Sequence, residues 1–530
     1  MKKIALIFLT IALISSLSIV LIALKNPQSL YSDTAWQMKA LQQFIASESP
    51  SFNHLVRPSY DDLAVNEAIW ITWWPPGTNL LAYPLLAGGI STGISIRIIA
   101  IAGLILGSLG WICWFSLFEF PIWIGLILAV TIPTLDYGSH AVFQYSAELL
   151  VYASAPWLLL MTYQLNRYWN RKIVNIEGWV KLAVISAGAG LILGFGYILK
   201  YSILFVLLGA LIYLGFQSII NNNFPEQKIS KLIAYGLVCL FFAIPLLGIN
   251  LLNQNLGGTA NLLTATAKNP GFKWQNLLYS IANPALAMAD GESFWKTLLV
   301  NTQQGLVFNP LWIGLIGLPG GLLLLWLILR PQILSEAGLL AKIVFFTSIA
   351  ALFAIWSLGA TVSYDPRHVA SASLAILPVV LESGCQLWEK SDRNYFLKVF
   401  LGLAAVFYLG IPLVYSSVST FSKAIAPSHN YKAASSQIYN PWLASQDLRR
   451  VRAELLKDFN EATDIWYVPE ALSALDLPGR AIVTHADFYG GLQDEILQQQ
   501  DFHTSIPLRV RALLPSSFEE NGKGLLIRAS

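Results

Sequence analysis

Four ionisable side chains, Asp33, Glu148, Lys200 and Arg367, stand at the edges of long apolar runs, and their types complement one another. A charge at membrane depth costs roughly 2.5–3.5 kcal/mol on insertion scales, so each position needs a reason. Asp33 lies in "LYSDTAWQMKALQQFI", which reads as a helix start with Ser32 or Asp33 as N-cap. Such a cap is worth about 1 kcal/mol, and the helix dipole favours the carboxylate there. The same place keeps an acid ionised and able to accept a proton. Glu148, in "FQYSAELLVYASAPW", is either an interfacial acid at a helix start or the partner of Asp33 at one membrane face. Two acids at one face permit a base plus a metal ligand or orienting group. Asp136, with His140 in the same preceding loop, competes with Glu148 for that second role.

The cations suggest what the acids work beside. Lys200, in "GAGLILGFGYILKYSILF", either snorkels at a helix end or offers its ammonium to a lipid phosphate. Arg367 and His368 sit in "SYDPRHVASASLAILP". An exposed pair between Asp365 and Arg367 contributes under about 1 kcal/mol, whereas a guanidinium grips phosphate through paired donors. Trp74 belongs to "IWITWWPPGTNLLAYP", an aromatic belt or the wall of a carbohydrate or isoprenoid groove. The histidines at 54, 140, 368, 429, 485 and 503 have no zinc-ligand spacing, so no cofactor is firmly implied and a divalent cation stays an open possibility. No Walker loop, GxGxxG fingerprint or GxSxG elbow is present, which weakens any ATP-driven or hydrolase reading.

The elements that must position these residues are membrane helices. Hydrophobic residues make up 55% of the 530 and charged ones only 12%, with a mean hydropathy of +0.57, too apolar for a water-soluble domain. The first run, Ile4 to Leu24, holds 21 uncharged residues after Lys2 and Lys3 and ends "ALKNP", reading as a retained crossing more than a cleaved signal. Hydropathy predicts about eleven crossings, near 4–24, 96–116, 121–136, 147–165, 180–199, 201–217, 231–250, 309–329, 342–361, 368–386 and 397–416. A cytoplasmic amino terminus places Arg167, Arg171, Lys172, Lys181, Lys228, Lys231, Arg330, Lys342, Lys390, Arg393 and Lys398 inside, as the positive-inside rule requires. Loops 25–95 and 251–308 and the tail from 417 then face outward. "TNLLAYPLLAGGI" in the first loop is too short to cross and reads as an interfacial helix. From residue 420 on, 24 of 111 residues are charged against 39 of the preceding 419. The helical "LRRVRAELLKDFNEA" and the β-rich "DIWYVP", "RAIVTHA" and "LLIRA" make 421–530 a small extracytoplasmic α/β domain. The three cysteines lie in apolar runs and read as core residues, and a net charge of +3 gives no reason to expect a nucleic-acid partner.

Taken in order, these features resemble the GT-C superfamily of integral-membrane glycosyltransferases, especially its protein O-mannosyltransferase and lipid A aminoarabinose transferase branch. The resemblance rests on Asp33 just past the first crossing, Pro75 and Pro76 with "GTNLLAYPLL", Arg97 opening the second crossing in "GISIRIIAIAGLILG", Glu148, Lys200 and "DPRHVASASLAILP". It covers roughly residues 1–420, the transmembrane module of an all-α polytopic membrane protein. The family commonly follows the first Asp with Glu, where this chain has Thr34, so a paired-acid role passes to Asp61, Asp62 or Glu67 if it exists. The resemblance implies transfer of a sugar, with inversion, from a polyprenyl-phosphate carrier to a lipid, glycan or protein acceptor. Asp33 and Glu148 would be catalytic, and Lys200, Arg367, Arg97, Asp136, His368 and Trp74 would bind substrate. It also implies a plasma-membrane location. A transporter or lipid flippase, or an inactive scaffold with an envelope-facing tail, remains the alternative.

Overall fold

The computed structural model describes residues 2–24, 28–59, 61–72, 74–170, 176–220, 225–257, 271, 273–288, 294–295, 298, 313–330, 335–358, 366–391, 394–425, 438, 446–468, 471–475, 477–483 and 504–512. Among the described residues, eight helical stretches are long and apolar enough to cross a membrane, and two shorter apolar ones lie over Ile122–Gly138 and Leu315–Leu329. With helix Glu148–Trp169 they correspond to the eleven expected crossings, and the chain is a multi-pass helical membrane protein.

In order, the helices are α1 (Lys2–Ala23), α2 (Ser32–Ile45), α3 (Gly77–Ala87), α4 (Thr92–Phe115), α5 (Ile122–Thr131), α6 (Asp136–Val142), α7 (Glu148–Trp169), α8 (Ile176–Leu199), α9 (Leu204–Ile220), α10 (Pro225–Gly257) and α11 (Trp274–Leu286). They continue with α12 (Leu318–Leu329), α13 (Glu336–Ser357), α14 (Ala370–Lys390), α15 (Tyr395–Ala405), α16 (Ile411–Ile425), α17 (Gln446–Lys457) and α18 (Ala471–Ala474). The α3 helix has 11 residues, roughly 16 Å at 1.5 Å per residue, which is too short to cross. Leu80, Leu81 and Tyr83 are exposed on it, as an interfacial helix requires. The crossing expected at 121–136 is shorter than its apolar run, because Pro133 stands in a 3-10 turn over Ile132–Thr134 that ends it. The α10 helix is longer than expected, 33 residues, and carries Asn253 and Gly257 up to Trp70 and Thr72 of the first long loop.

Small residues let the spanning helices approach closely. At Gly107 an added Cβ would stand 2.3 Å from the Tyr152 ring, and at Gly209 it would stand 2.5 Å from the Val344 Cα. Four short strands serve the loops. β1 (Ser29–Leu30) pairs in parallel with β4 (Gln144–Tyr145), while β2 (His54–Pro58) and β3 (Asn66–Trp70) form an antiparallel hairpin.

In the tail, β5 (Asp464–Val468) lies between β6 (Ala481–Val483) and β7 (Arg509–Ala512) in a parallel three-stranded sheet. The first two strands and α17 fall in the expected stretches. The third strand is "RVRA", which carries two arginines and no apolar run, so hydropathy passes over it. "LLIRA" lies outside the described residues. β7 is held by charge: Arg511 Nε donates to the fully buried Asp464 at 2.5 Å. This sheet is seated on the first long loop. Arg480 Nη1 donates to the Leu63 and Ala64 carbonyls at 3.0 and 3.1 Å, and Lys39 Nζ of α2 donates to Leu477 O at 3.2 Å.

One close approach is decisive for the site below. A Cβ on Gly77 would stand 2.5 Å from the Leu199 Cα and 2.6 Å from the Ile198 carbonyl oxygen. Gly77→Ala should therefore destabilise the protein by about 1–3 kcal/mol, the usual cost of overpacking. Gly188→Ala, with nothing within 4 Å of the new atom, should not. Denaturant unfolding in mixed micelles measures both, and equal stability of the two variants would contradict the packing.

Candidate functional site

A pairing of two residues per strand gathers the acids. Ser29 stands opposite Gln144 and Leu30 opposite Tyr145, and each strand leads within three residues into a helix start. Asp33 lies as far beyond Leu30 as Glu148 lies beyond Tyr145, so the register delivers both carboxylates to the same end of the pairing. Tyr31 N donates to Tyr145 O at 3.0 Å. The Gln28 side chain donates to the His140 and Ala141 carbonyls at 3.1 and 3.0 Å, and the Gln144 side chain donates to Leu30 O at 3.2 Å. The N-cap expectation is corrected here. The N-cap of α2 is Tyr31, with no side-chain capping bond, and Asp33 falls inside the first turn. Its carboxylate still meets the positive end of the helix through its own backbone N–H.

Lys200 arrives from a break between two crossings. α8 ends at Leu199, Lys200 is extended with φ −162° and ψ 135°, and a 3-10 turn over Tyr201–Ile203 leads into α9. The break turns the ammonium onto Glu148. Nζ lies 3.3 Å from Oε1, with the two side chains only 12% and 9% exposed. Ser202 Oγ donates to the other Glu148 oxygen at 3.4 Å, and the Glu148 N–H donates to Ser146 Oγ at 3.3 Å. The break itself is braced. Tyr201 Oη donates to Thr72 O at 3.2 Å and accepts from Asn253 Nδ2 at 3.1 Å, while Asn253 Oδ1 accepts from Trp70 Nε1 at 2.8 Å.

Arg367 enters from a 3-10 turn over Pro366–Val369 that opens α14; it is exposed and His368 half-buried. Both lie within electrostatic reach of Glu148, and Arg367 also acts on Asp33. Burial pushes the Asp33 carboxyl above its ordinary range. Lys200 and Arg367 pull it down, Glu148 pushes it up, and its own N–H pulls it down. Asp33, Glu148, Lys200, Arg367 and His368, from four separate stretches of chain, thus form one charge cluster. Asp365 lies outside the described residues.

The other candidates are placed around it. Asp136 opens α6 beside His140, whose ring packs edge-on to Tyr31 with centroids 5.4 Å apart. Burial pushes the His140 imidazole below its usual range, while Asp136 and Glu148 pull it up and Lys423 pushes it down. Arg97 donates to Leu24 O at 3.3 Å, tying α4 to the exit of α1. Trp74 is partly buried against the core, next to Pro75, whose carbonyl accepts from Gln37 of α2 at 2.9 Å. Glu67 is engaged by Arg57 at 2.7 Å across the β2–β3 hairpin, and Asp62 Oδ1 accepts from Ala64 N and Ser505 N at 2.9 and 3.0 Å. The acid whose charge acts on Asp33 is Glu148.

Ser146, Ser202, Tyr201 and Asn253 were not legible as site residues in the sequence. The two serines adjoin singled-out charges, which was the available signal, whereas nothing in the apolar run of α10 marks Asn253. Among the described residues no group of three or more His, Cys, Asp or Glu side chains comes together, and Glu148 is paired with the Lys200 ammonium.

No family model matches the sequence, and no curated protein matches it. Among solved structures the chain is similar to ArnT from Cupriavidus metallidurans bound to undecaprenyl phosphate, at 11% identity and a TM-score of 0.44, covering 91% of this chain and 86% of that one. It is also similar to the archaeal oligosaccharyltransferase AglB from Archaeoglobus fulgidus in complex with an inhibitory peptide and a dolichol-phosphate. That match has 13% identity and a TM-score of 0.42, covering 88% of this chain and 62% of that one.

Two outcomes test the cluster. Lys200→Met should destabilise the protein by about 3–5 kcal/mol, because it strands a buried carboxylate, and adding Glu148→Gln should recover most of the loss; additive losses would contradict the pairing. Asp33 has its native pKa raised above the unfolded value near 3.8. The native state therefore holds the proton longer, and stability falls as pH rises from 3.8 through the native pKa. Asp33→Asn should remove that fall, making the variant more stable than wild type at pH 7 but not at pH 3.5, as read by thermal melting across pH.

Proposed function

We propose that the chain is a membrane glycosyltransferase of the GT-C kind, moving a sugar from a polyprenyl-phosphate carrier to a hydroxyl or amine acceptor with inversion. The observation that carries this reading is the convergence of two acids and two strong cations at one end of the helical bundle. Asp33 takes the proton from the acceptor as its oxygen or nitrogen bonds to the anomeric carbon. The bond from that carbon to the phosphate oxygen breaks, and the lipid phosphate leaves with the electron pair. Lys200 and Arg367 meet the growing negative charge. A raised pKa suits Asp33 to accept a proton near neutral pH. Glu148 holds the Lys200 ammonium in place until a phosphate arrives, and His368 offers a further donor. Trp74 presents an aromatic face to sugar or isoprenoid, and Asp136 steadies His140 under the acids. Arg97 acts on the site through α1 by fixing where the chain leaves that helix.

In the same reading, residues 1–420 form the transferase module and 421–530 an extracytoplasmic domain. The amino terminus is cytoplasmic in the plasma membrane. The contacts of Arg480 and Lys39 with the first outer loop and α2 support placing tail and loop on one side. Charge gathered at one membrane boundary, with no mid-membrane cluster among the described residues, favours transfer over transport.

Purified protein given polyprenyl-phosphate-linked radiolabelled monosaccharides should transfer label, and Asp33→Asn should lower the rate by roughly 10²–10⁴-fold. Full transfer by that variant would remove Asp33 as the base. For topology, Asp61→Cys should react with an impermeant thiol reagent added outside intact cells and Arg167→Cys only after lysis. The reverse pattern would overturn the orientation.

A further inference from the structure

A cavity of about 560 Å³ lies away from the acids, between α5, α12, α14 and α15. Its walls include Trp123, Leu327, Cys385, Trp388, Glu389 and Leu401, and Glu389 is the charged side chain among them. α14 begins beside Arg367, whereas the cavity follows the second half of that helix, from Val380 to Glu389. At 1.5 Å per residue this stretch is roughly 20–33 Å from Arg367, so the Glu389 end reaches the opposite membrane boundary.

The helix that closes the cavity is barely packed. In α15 only Leu401 is buried, while Tyr395 and Phe396 are each 81% exposed, and a π-helical turn over Val406–Gly410 follows. At roughly 30 Å³ per small group, the space suits on the order of twenty methylenes, the size of one fatty acyl chain. Among the described residues, Glu389 on the cavity wall and Lys398 beside Trp388 are the charges that bear on a headgroup. Trp388 lines the cavity beside Glu389 and carries Lys398 Nζ 5.8 Å from its ring centroid. One carboxylate and one ammonium complement a headgroup that holds both an ammonium and a phosphate.

We infer that this cavity is a binding site for one acyl chain of a phosphoethanolamine lipid, with Glu389 receiving the ammonium and Lys398 the phosphate. The inference does not depend on the transfer reaction. The lipid fills the space between α15 and the rest of the bundle and secures a helix that has little protein contact of its own.

Native mass spectrometry of the full chain extracted in mild detergent, followed by identification of the released lipid, tests it. Wild type should retain one phosphoethanolamine lipid per chain. Gly384→Phe, at a cavity-lining position where an added Cβ meets nothing within 4 Å, should lower occupancy at least about tenfold, some 1.4 kcal/mol. Glu389→Gln leaves the volume intact and should lower the preference for phosphoethanolamine over phosphoglycerol lipid by about fivefold in exchange from mixed bicelles. Retention of no lipid, of a polyprenyl phosphate or of a phosphoglycerol lipid would overturn the inference, as would full occupancy in Gly384→Phe. Should that variant fail to fold, an unchanged headgroup preference in Glu389→Gln is enough to overturn it.

Discussion

A carboxylate and an ammonium, both nearly removed from water, hold each other 3.3 Å apart at the end of the bundle. Neither could remain there alone, because an unpaired charge in such surroundings would neutralise or draw in water. Glu148 and Lys200 therefore fix each other's positions, and with them the starts of α7 and α9. Asp33 is drawn into the same field. Its burial resists ionisation, the two cations favour it and Glu148 opposes it. The result is an acid poised to take up a proton beside cations able to receive an anion. That combination gives the cluster chemical meaning beyond its contribution to stability.

The geometry around the pair is set by small, local devices. A parallel pairing two residues long places the helix starts that carry Asp33 and Glu148 side by side. A chain of hydrogen bonds from Trp70 through Asn253 to Tyr201 pins the break after Lys200 to the first long loop. Gly77 lets that loop lie directly on the α8 backbone. The tail sheet rests on α2 and the hairpin turn through Lys39 and Arg480. Of these two cations, Lys200 and Arg367, Arg367 is the exposed one, while Lys200 lies deeper against its acid.

Much of this was legible because membranes impose harsh rules on sequence. An apolar run near twenty residues has few fates, so the crossings, the short α3 and the polar tail could be read from hydropathy alone. Charges at the ends of such runs stood out for the same reason, and Asp33, Glu148, Lys200 and Arg367 do converge. What stayed hidden has no local signature. Ser29–Leu30 and Gln144–Tyr145 are too short to show strand periodicity, and their pairing joins segments more than a hundred residues apart. Asn253 is one polar residue near the end of a long helix, and its role appears only when Trp70 and Tyr201 arrive beside it. The N-cap expectation failed because capping patterns identify a helix start without fixing its first residue. Arg97, which sequence order grouped with the binding residues, is held by the carbonyl of Leu24 at the end of α1.

The most direct measurement is the position of the phosphorus atom in the protein with a polyprenyl phosphate bound, determined by cryo-electron microscopy in a lipid nanodisc. If the cluster is a phosphate-receiving site, phosphate oxygens will lie within hydrogen-bond distance of both Lys200 Nζ and the Arg367 guanidinium, with Lys200 drawn away from Glu148. A phosphate resolved apart from both cations, with the Lys200–Glu148 pair intact, would contradict it.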